Sequence, residues 1–258
     1  MLIIGERING QFKKIRKAID DRDEKPMIEE ALSQVKAGAN ALDINTGPGL
    51  DNPEEVMKWM IETVQDATDV VIVVDTPLPK TMEAGLGVCK RTPVINSTTA
   101  EKVRMGTLFP IAHEYDCNII GLAIDERGVA RETEAKVELG LNMIMNAMEY
   151  DVPSDHLYLD PVVLPIGAAQ DQLPFAIEAA RTFKSLSDPQ PNTIVGLSNV
   201  SSSTKQRSIL NRVYLAMLMA NGLDAAIMDP NDADLMNVLK TAEVLLNKKL
   251  YADGYLRA

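Results

Sequence analysis

The stretch TIVGLSN, residues 193–199, shows the pattern that decides the fold. A short β-branched apolar run ends in Ser198 and Asn199, and small polar residues follow it instead of an ordinary two-residue turn. Seven other short apolar runs also carry Asp or Asn at or beside their last position. The eight strands predicted from these runs are 2–9, 41–45, 70–75, 92–97, 119–125, 156–161, 193–199 and 225–230.

Helical segments separate these runs. Apolar residues recur at three- and four-residue spacing in 53–67, 134–150 and 208–222, as in helices that pack one face on a core. Strands that alternate with helices eight times pair in parallel, which predicts a (β/α)8 TIM barrel. The chain of 258 residues has the length of one such barrel, so we expect a single domain over residues 1–258.

An Asp or Asn stands near the carboxyl end of every predicted strand. In a barrel these ends surround one mouth, where the active sites of such folds lie. Each residue alone is also typical of a turn or a helix cap, so the prediction of a polar pocket rests on the whole set. The set is Asn9, Asn45, Asp75, Asn96, Asp125, Asp160, Asn199 and Asp229.

Composition and charge exclude several classes of partner. The formal net charge of −11 opposes binding to nucleic acid. No apolar run reaches the length of a membrane helix, and residues 1–10 lack the features of a signal peptide. We therefore expect a cytoplasmic protein with no nucleic-acid or membrane partner. Cys89 and Cys117 are too far apart for a CxxC metal site and are expected to be interior thiols.

The residue types of the predicted pocket narrow its ligand. Four carboxylates suit Mg²⁺ or Mn²⁺, and this weaker alternative stays open. His113 in a helical segment and His156 at the opposite end of the sixth strand do not extend that set, and we expect no metal bound to this chain. No strand ends in Lys, and no glycine-rich phosphate cradle follows the last two strands. The four carboxylates are Asp75, Asp125, Asp160 and Asp229.

Carboxylates and carboxamides together match a polar ring. A carboxylate accepts from two adjacent N–H donors, and a carboxamide offers one donor and one acceptor. The 2-amino-4-oxo pyrimidine edge of a pterin presents complementary groups. The pocket therefore favours a neutral or guanidine-like polar ring, of which the pterin of a folate is the biological case.

Six motifs strengthen this hypothesis by resemblance. They resemble the successive strand-end motifs of the pterin-binding barrel family, in order and over nearly the whole chain. That family includes dihydropteroate synthases, the folate domain of cobalamin-dependent methionine synthases and the methyltetrahydrofolate:corrinoid/iron–sulfur protein methyltransferases. The last branch is the most similar, because the Lys- and Arg-bearing strand ends of dihydropteroate synthases are missing. The motifs are IGERIN (4–9), LDINTG (42–47), VVDTP (73–77), VINSTT (94–99), LDPVVLPIG (159–167) and GLSNVS (196–201).

The resemblance implies roles for single residues. Asp75, Asn96 and Asp160 are expected to bind the pterin edge, and Asn199 to lie near N5. Asn199 and Asp160 are the implied catalytic residues. Arg207 is expected over the ring or at the folate tail. The implied substrate-binding residues are Asp75, Asn96, Asp160, Gly196, Ser198, Asn199 and Arg207.

The resemblance also implies substrates and partners. Methyltetrahydrofolate would be the methyl donor, and a separate corrinoid (iron–sulfur) protein would supply the cobalamin that accepts the methyl group. A homodimer is expected on the same ground. Three alternatives stay open: a related folate–corrinoid methyltransferase of a demethylase system working in either direction, a dihydropteroate synthase, and a non-catalytic folate-binding protein.

N5 must gain a proton when its methyl group leaves, and the sequence shows no obvious donor for this proton. No His, Lys or Glu stands at the strand ends expected around N5, so water is expected to supply it. Glu6 and Arg7 are expected to form an ion pair inside the barrel. Asp43 either joins the pterin network or fills a polar layer of the barrel.

Overall fold

The computed structural model describes residues 1–249 and contains a closed barrel of eight parallel strands. Each strand pairs with the next along the chain, and the first pairs with the last to close the ring. The predicted (β/α)8 barrel is thus confirmed. The barrel strands are β1 Leu2–Asn9, β2 Ala41–Asn45, β3 Val71–Asp75, β4 Val94–Thr99, β5 Asn118–Leu122, β6 Leu157–Asp160, β7 Asn192–Gly196 and β8 Ala225–Met228.

Helices connect the strands and cover the outside of the barrel. The three segments predicted from apolar spacing are present as α3, α6 and α9, within two residues of their expected ends. No helix within residues 1–249 is long and apolar enough to cross a membrane. The helices are α1 Lys13–Asp21, α2 Lys25–Ala37, α3 Pro53–Ala67, α4 Pro79–Leu86, α5 Lys102–Glu114, α6 Thr133–Glu149, α7 Ile166–Ala169, α8 Leu173–Phe183, α9 Arg207–Ala220 and α10 Ala233–Leu245.

An apolar layer fills the interior of the barrel. Seven strands each contribute one buried inward side chain, and Tyr158 of β6 packs against them. Because strand side chains alternate between faces, the residue two positions further along each strand also points inward, one level closer to the mouth. The layer consists of Ile4, Ala41, Val73, Val94, Ile120, Ile194 and Ala225.

Two predicted strands end three residues early. β5 ends at Leu122, and Ile124–Asp125 pairs with Gly128–Val129 in an antiparallel hairpin outside the barrel. β7 ends at Gly196, and Leu197–Ser201 forms a 3₁₀ turn. In both cases the polar residues predicted at the strand end stand in the connection that follows.

A β-bulge interrupts β1. Gly5 pairs with Leu42 but Ile8 pairs with Ile44, so β1 holds one extra residue against β2. The backbone N–H of Arg7 in this bulge donates to Oε1 of the buried Gln34 at 3.1 Å. A Cβ at Gly5 would lie 2.4 Å from the same oxygen, so only glycine leaves room for this contact. A second bulge separates residues 96 and 98 of β4.

We predict that Gln34→Ala lowers the free energy of unfolding by about 1–3 kcal/mol, because the bulge N–H of Arg7 loses its buried acceptor. Urea titration of both proteins measures the difference. Gln206→Ala is the matched control, since Gln206 is exposed and its side chain makes no capping hydrogen bond to α9. A Gln34→Ala midpoint equal to that of the control would contradict this role.

Candidate functional site

A cavity of about 330 Å³ opens at the carboxyl ends of the barrel strands. We call it the mouth cavity. One inward-pointing residue from each of the eight strands contributes to its wall. In every strand that has a member in the apolar layer, this residue stands two positions after that member. We call these eight residues the mouth layer. The mouth layer consists of Glu6, Asp43, Asp75, Asn96, Leu122, Asp160, Gly196 and Ile227.

All seven predicted substrate-binding residues line the mouth cavity. Asp75, Asn96, Asp160 and Gly196 belong to the mouth layer, while the other three lie in or after the 3₁₀ turn that follows β7. Their roles toward a ligand stay predictions, but the structure brings the whole set to one place. The residues outside the layer are Ser198, Asn199 and Arg207.

Three of the eight predicted strand-end residues, Asn45, Asp125 and Asp229, do not line this cavity. Asp125 is in the hairpin, where its carboxylate accepts from Arg127 Nε at 2.8 Å. Asp229 follows the end of β8 and pairs with Arg7 at 3.6 Å. The four-carboxylate metal set predicted from strand ends is therefore not assembled. Within residues 1–249, no three His, Cys, Asp or Glu side chains are grouped so as to hold a metal ion.

The predicted Glu6–Arg7 ion pair is wrong. Neighbouring residues on a strand point to different sides, and the Arg7 guanidinium lies 3.7 Å from Glu30 and 3.6 Å from Asp229. Glu6 instead accepts a hydrogen bond from Ser198 Oγ at 2.7 Å. The bulge after Glu6 also brings Asn9, three residues on, to the same cavity.

Asp43 and Asp75 form a hydrogen-bonded carboxyl pair. Burial raises the pKa of Asp43 well above its ordinary value, and the nearby charge of Asp75 raises it further. Burial also raises the Asp75 pKa, against the opposing hydrogen bonds from Asn45 and Asp43. Asp43 therefore holds a proton and donates to Asp75, so the pair carries one negative charge.

Two carboxamides complete this network. Asn45 Nδ2 donates to Asp75 Oδ2 at 2.6 Å, so Asn45 supports the mouth layer from behind. Asn96 Nδ2 donates to Asp43 Oδ1 at 2.9 Å, which leaves the Asn96 oxygen as an acceptor. Asp43 thus forms a hydrogen-bonded network with Asp75 and Asn96 in the cavity wall, and its part in pterin binding stays a prediction.

Asp160 is the second anionic group of the cavity wall. It is 7% exposed, and burial raises its pKa to about 6. The N–H of Val162 donates to its Oδ1 at 2.7 Å, and the N–H of Gly196 and the charge of Lys136 also favour the carboxylate. The buried Lys136 ammonium donates to the carbonyls of Ala130 and Pro161 at 2.6 Å each, which fixes it behind the Asp160 loop.

Asn199 lies over the end of β7. The prediction that it closes this strand is wrong, because the strand ends at Gly196 and Asn199 belongs to the 3₁₀ turn. A Cβ at Gly196 would lie 2.9 Å from Asn199 Nδ2, so glycine lets the carboxamide fold back toward the cavity. The guanidinium of Arg207, the exposed first residue of α9, makes no hydrogen bond or ion pair with the side chains or backbone of residues 1–249.

The chain matches the family model described as pterin binding enzyme over residues 6–229, which covers the barrel from β1 to the end of β8. The chain belongs to the pterin binding enzyme family. This confirms the resemblance found in the strand-end motifs.

This pterin binding enzyme is similar in sequence to proteins that are named for two different reactions. It is 29% identical to the methylcorrinoid:tetrahydrofolate methyltransferase of Eubacterium limosum over 263 residues, covering 100% of this chain and 96% of that protein. It is 28% identical to the methionine synthase of Mycobacterium tuberculosis over 251 residues, covering 92% of this chain but 21% of that synthase.

A solved structure shares the fold of this pterin binding enzyme. Dihydropteroate synthase from Thermus thermophilus superposes with a TM-score of 0.70 over 97% of this chain and 94% of that one. The two sequences are 18% identical, so the likeness concerns the barrel alone.

The raised pKa of Asp160 gives a pH-dependent stability. Its folded value of about 6 lies above the usual value near 3.9, so the folded state binds the proton more tightly and loses stability as pH rises between these values. We predict that Asp160→Asn reduces the difference in unfolding free energy between about pH 4 and pH 7 by roughly 1–3 kcal/mol.

Urea titrations at both pH values test this, with the exposed Asp51→Asn as control. An Asp160→Asn variant with the pH dependence of the wild type would contradict the assignment.

Proposed function

We propose that this protein transfers the N5-methyl group of methyltetrahydrofolate to the Co(I) centre of a separate corrinoid protein, of the corrinoid/iron–sulfur type. The observation that carries the proposal is the mouth layer, in which Asp75, Asn96 and Asp160 present acceptors to one cavity. The full-length relative named for methyl exchange between a corrinoid and tetrahydrofolate supports this branch of the family. That relative is named for the opposite direction, and supply of the two methylated compounds would set the direction in the cell.

Pterin recognition follows from the charges of the mouth layer. The carboxylates of Asp75 and Asp160 accept from adjacent N–H donors of the ring edge, and the Asn96 oxygen accepts a further one. Replacing Asp75 by Ala should weaken methyltetrahydrofolate binding by about 1.5–3 kcal/mol, the range for hydrogen bonds to a charged group. Calorimetry measures this loss, and unchanged affinity would remove Asp75 from the site.

Asn199 is proposed to act at N5. An amine leaves poorly as an anion, so N5 must gain a proton as the methyl group departs. The carboxamide of Asn199 accepts from a protonated N5 through its oxygen and donates to a neutral N5 through its nitrogen. The Co(I) acceptor is a strong nucleophile, so no protein base is needed to activate it.

The decisive experiment is an anaerobic mixture of the protein, methyltetrahydrofolate and Co(I) cobalamin, followed by its visible spectrum. We expect the Co(I) bands to give way to those of methylcobalamin. Tight folate binding without this change would identify a folate-binding protein without activity. Condensation of dihydropterin pyrophosphate with p-aminobenzoate would identify a dihydropteroate synthase.

Asn199→Ala tests the proposed role at N5. Because positive charge develops on N5 during the transfer, the contact should be stronger in the transition state, and turnover at saturating folate should fall by about 10²-fold or more. Folate affinity should fall much less. Asn237→Ala, on the exposed face of α10, is the control. Wild-type turnover in Asn199→Ala with the folate still bound would contradict the role.

We also propose that the protein is a homodimer. Of the exposed large apolar side chains within residues 1–249, seven lie on the three adjacent helices α6, α8 and α9. We call these seven the dimer face. The dimer face consists of Leu141, Met145, Met148, Phe175, Ile209, Val213 and Met217.

The shape of this face suits a second copy of the chain. Ile209, Val213 and Met217 form a ridge along α9 at four-residue spacing, and they border an apolar groove of about 390 Å³ between α8 and α9. A ridge beside a groove is self-complementary under a twofold axis. Three helices of this length at about 10 Å spacing offer roughly 500 Å² per copy, near the lower limit for a stable interface.

Val213→Asp should convert the dimer to a monomer, because it places a charge in the centre of the dimer face. Sedimentation velocity measures the change in mass. Val103→Asp is the matched control, since Val103 is 85% exposed on α5 and outside the dimer face. A monomeric wild type, or a Val213→Asp dimer as stable as the control, would contradict this interface.

A further inference from the structure

A second cavity adjoins the mouth cavity. It has a volume of about 590 Å³ and lies where α9 and α10 begin, and we call it the side cavity. Exposed residues such as Ser208 and Asn231 line it, so it is in contact with solvent. Three residues, Glu6, Ser198 and Arg207, line both cavities. The wall between solvent and the mouth cavity therefore contains a carboxyl group and a hydroxyl group.

These two groups are already hydrogen-bonded to each other. Ser198 Oγ lies 2.7 Å from Glu6 Oε1, and Ser198 directly precedes Asn199, the residue proposed to lie at N5. A hydroxyl both donates and accepts, so it can receive a proton on one side while it releases another. Of the mouth-layer carboxyl groups, only that of Glu6 also lines the side cavity.

The surroundings of Glu6 favour its acid form. Burial raises its pKa, and the hydrogen bond from Ser198 opposes that shift. The charge of Asp229 raises the pKa further, whereas Arg7 and Arg207 lower it. Asp43 faces Glu6 from β2 but holds a proton itself, so it adds little negative charge. A carboxyl group with a raised pKa holds a proton nearer to neutral pH, as a general acid requires.

We propose that Glu6 supplies the proton that N5 receives, through the Ser198 hydroxyl, and that water in the side cavity restores it. The inference rests on the proposed methyl transfer and deepens it. The Glu6 O–H bond breaks as Ser198 Oγ takes this proton and releases its own to the lone pair of N5. The N5–CH₃ bond then breaks with its electron pair left on nitrogen, and two electrons of Co(I) form the new Co–C bond.

Each turnover consumes one proton, which comes from solvent. Methyltetrahydrofolate, one proton and Co(I) give tetrahydrofolate and methyl-Co(III), while the Glu6 carboxylate regains its proton from the side cavity. The sequence predicted that water supplies the proton. On this account water remains the ultimate source, but Glu6 and Ser198 deliver it.

Glu6→Gln tests the relay in single-turnover methyl transfer to Co(I) cobalamin, measured from about pH 6 to pH 8.5. We expect a rate about 10²-fold lower at the upper end, in the range for loss of a general acid. The loss should shrink toward low pH, where protons from solution reach N5 without the relay. Folate affinity by calorimetry should stay within about threefold, because Glu6 is not among the groups proposed to bind the pterin edge.

Two further variants complete the experiment. Ser198→Ala removes the hydroxyl of the relay and should show the same pH-dependent loss of transfer rate. This variant also tests the relay if Glu6→Gln does not fold. Glu62→Gln, on the exposed face of α3, is the control and should match the wild type.

The outcomes separate the relay from the proposed function. A wild type that transfers no methyl group overturns both. A wild type that transfers the methyl group, together with an unchanged rate in both Glu6→Gln and Ser198→Ala, overturns the relay alone. A loss of equal size at every pH, or a loss of folate binding in Glu6→Gln, also overturns the relay, because a proton donor affects the pH-dependent step and does not hold the folate.

Discussion

The carboxyl groups of the mouth layer cannot all be charged in the space that the barrel gives them. Glu6, Asp43, Asp75 and Asp160 share one cavity wall, and burial raises the pKa of each. The protein meets this constraint with a proton on Asp43 and with backbone N–H groups on Asp160. What remains is a wall of acceptors with reduced charge, which is complementary in hydrogen bonding to a ring edge rich in N–H donors.

The barrel places these groups by strand alternation and by two bulges. Most mouth-layer residues stand two positions beyond an apolar residue that fills the interior, so the hydrophobic layer sets the height of the polar one. The bulge in β1 depends on a glycine and a buried glutamine, and it brings both Glu6 and Asn9 to the cavity. Packing behind the cavity wall thus decides which side chains reach the cavity.

Much of the fold and of the candidate site is predictable from the sequence, because both depend on local patterns of residues. Alternating strand and helix signals predict the barrel, and all seven predicted binding residues line the cavity. Asp125 and Asp229 were misplaced because strand ends depend on pairing with neighbours, which a single run of residues does not reveal. A residue belongs to the polar wall when its side chain points into the barrel, whether or not it is the last polar residue of its strand. The sequence therefore does not reveal the position of Glu6 in this wall, although Glu6 belongs to the motif IGERIN (4–9).

The most direct test of this account counts the protons exchanged when methyltetrahydrofolate binds. Calorimetry at about pH 6 in two buffers of different ionisation enthalpy gives that number. N–H donors on the ring should lower the pKa of Asp160, so the wild type should release roughly half a proton, and Asp160→Asn should release markedly less. Binding without proton release in the wild type would contradict the claim that the buried carboxyl groups of the mouth layer recognise the pterin.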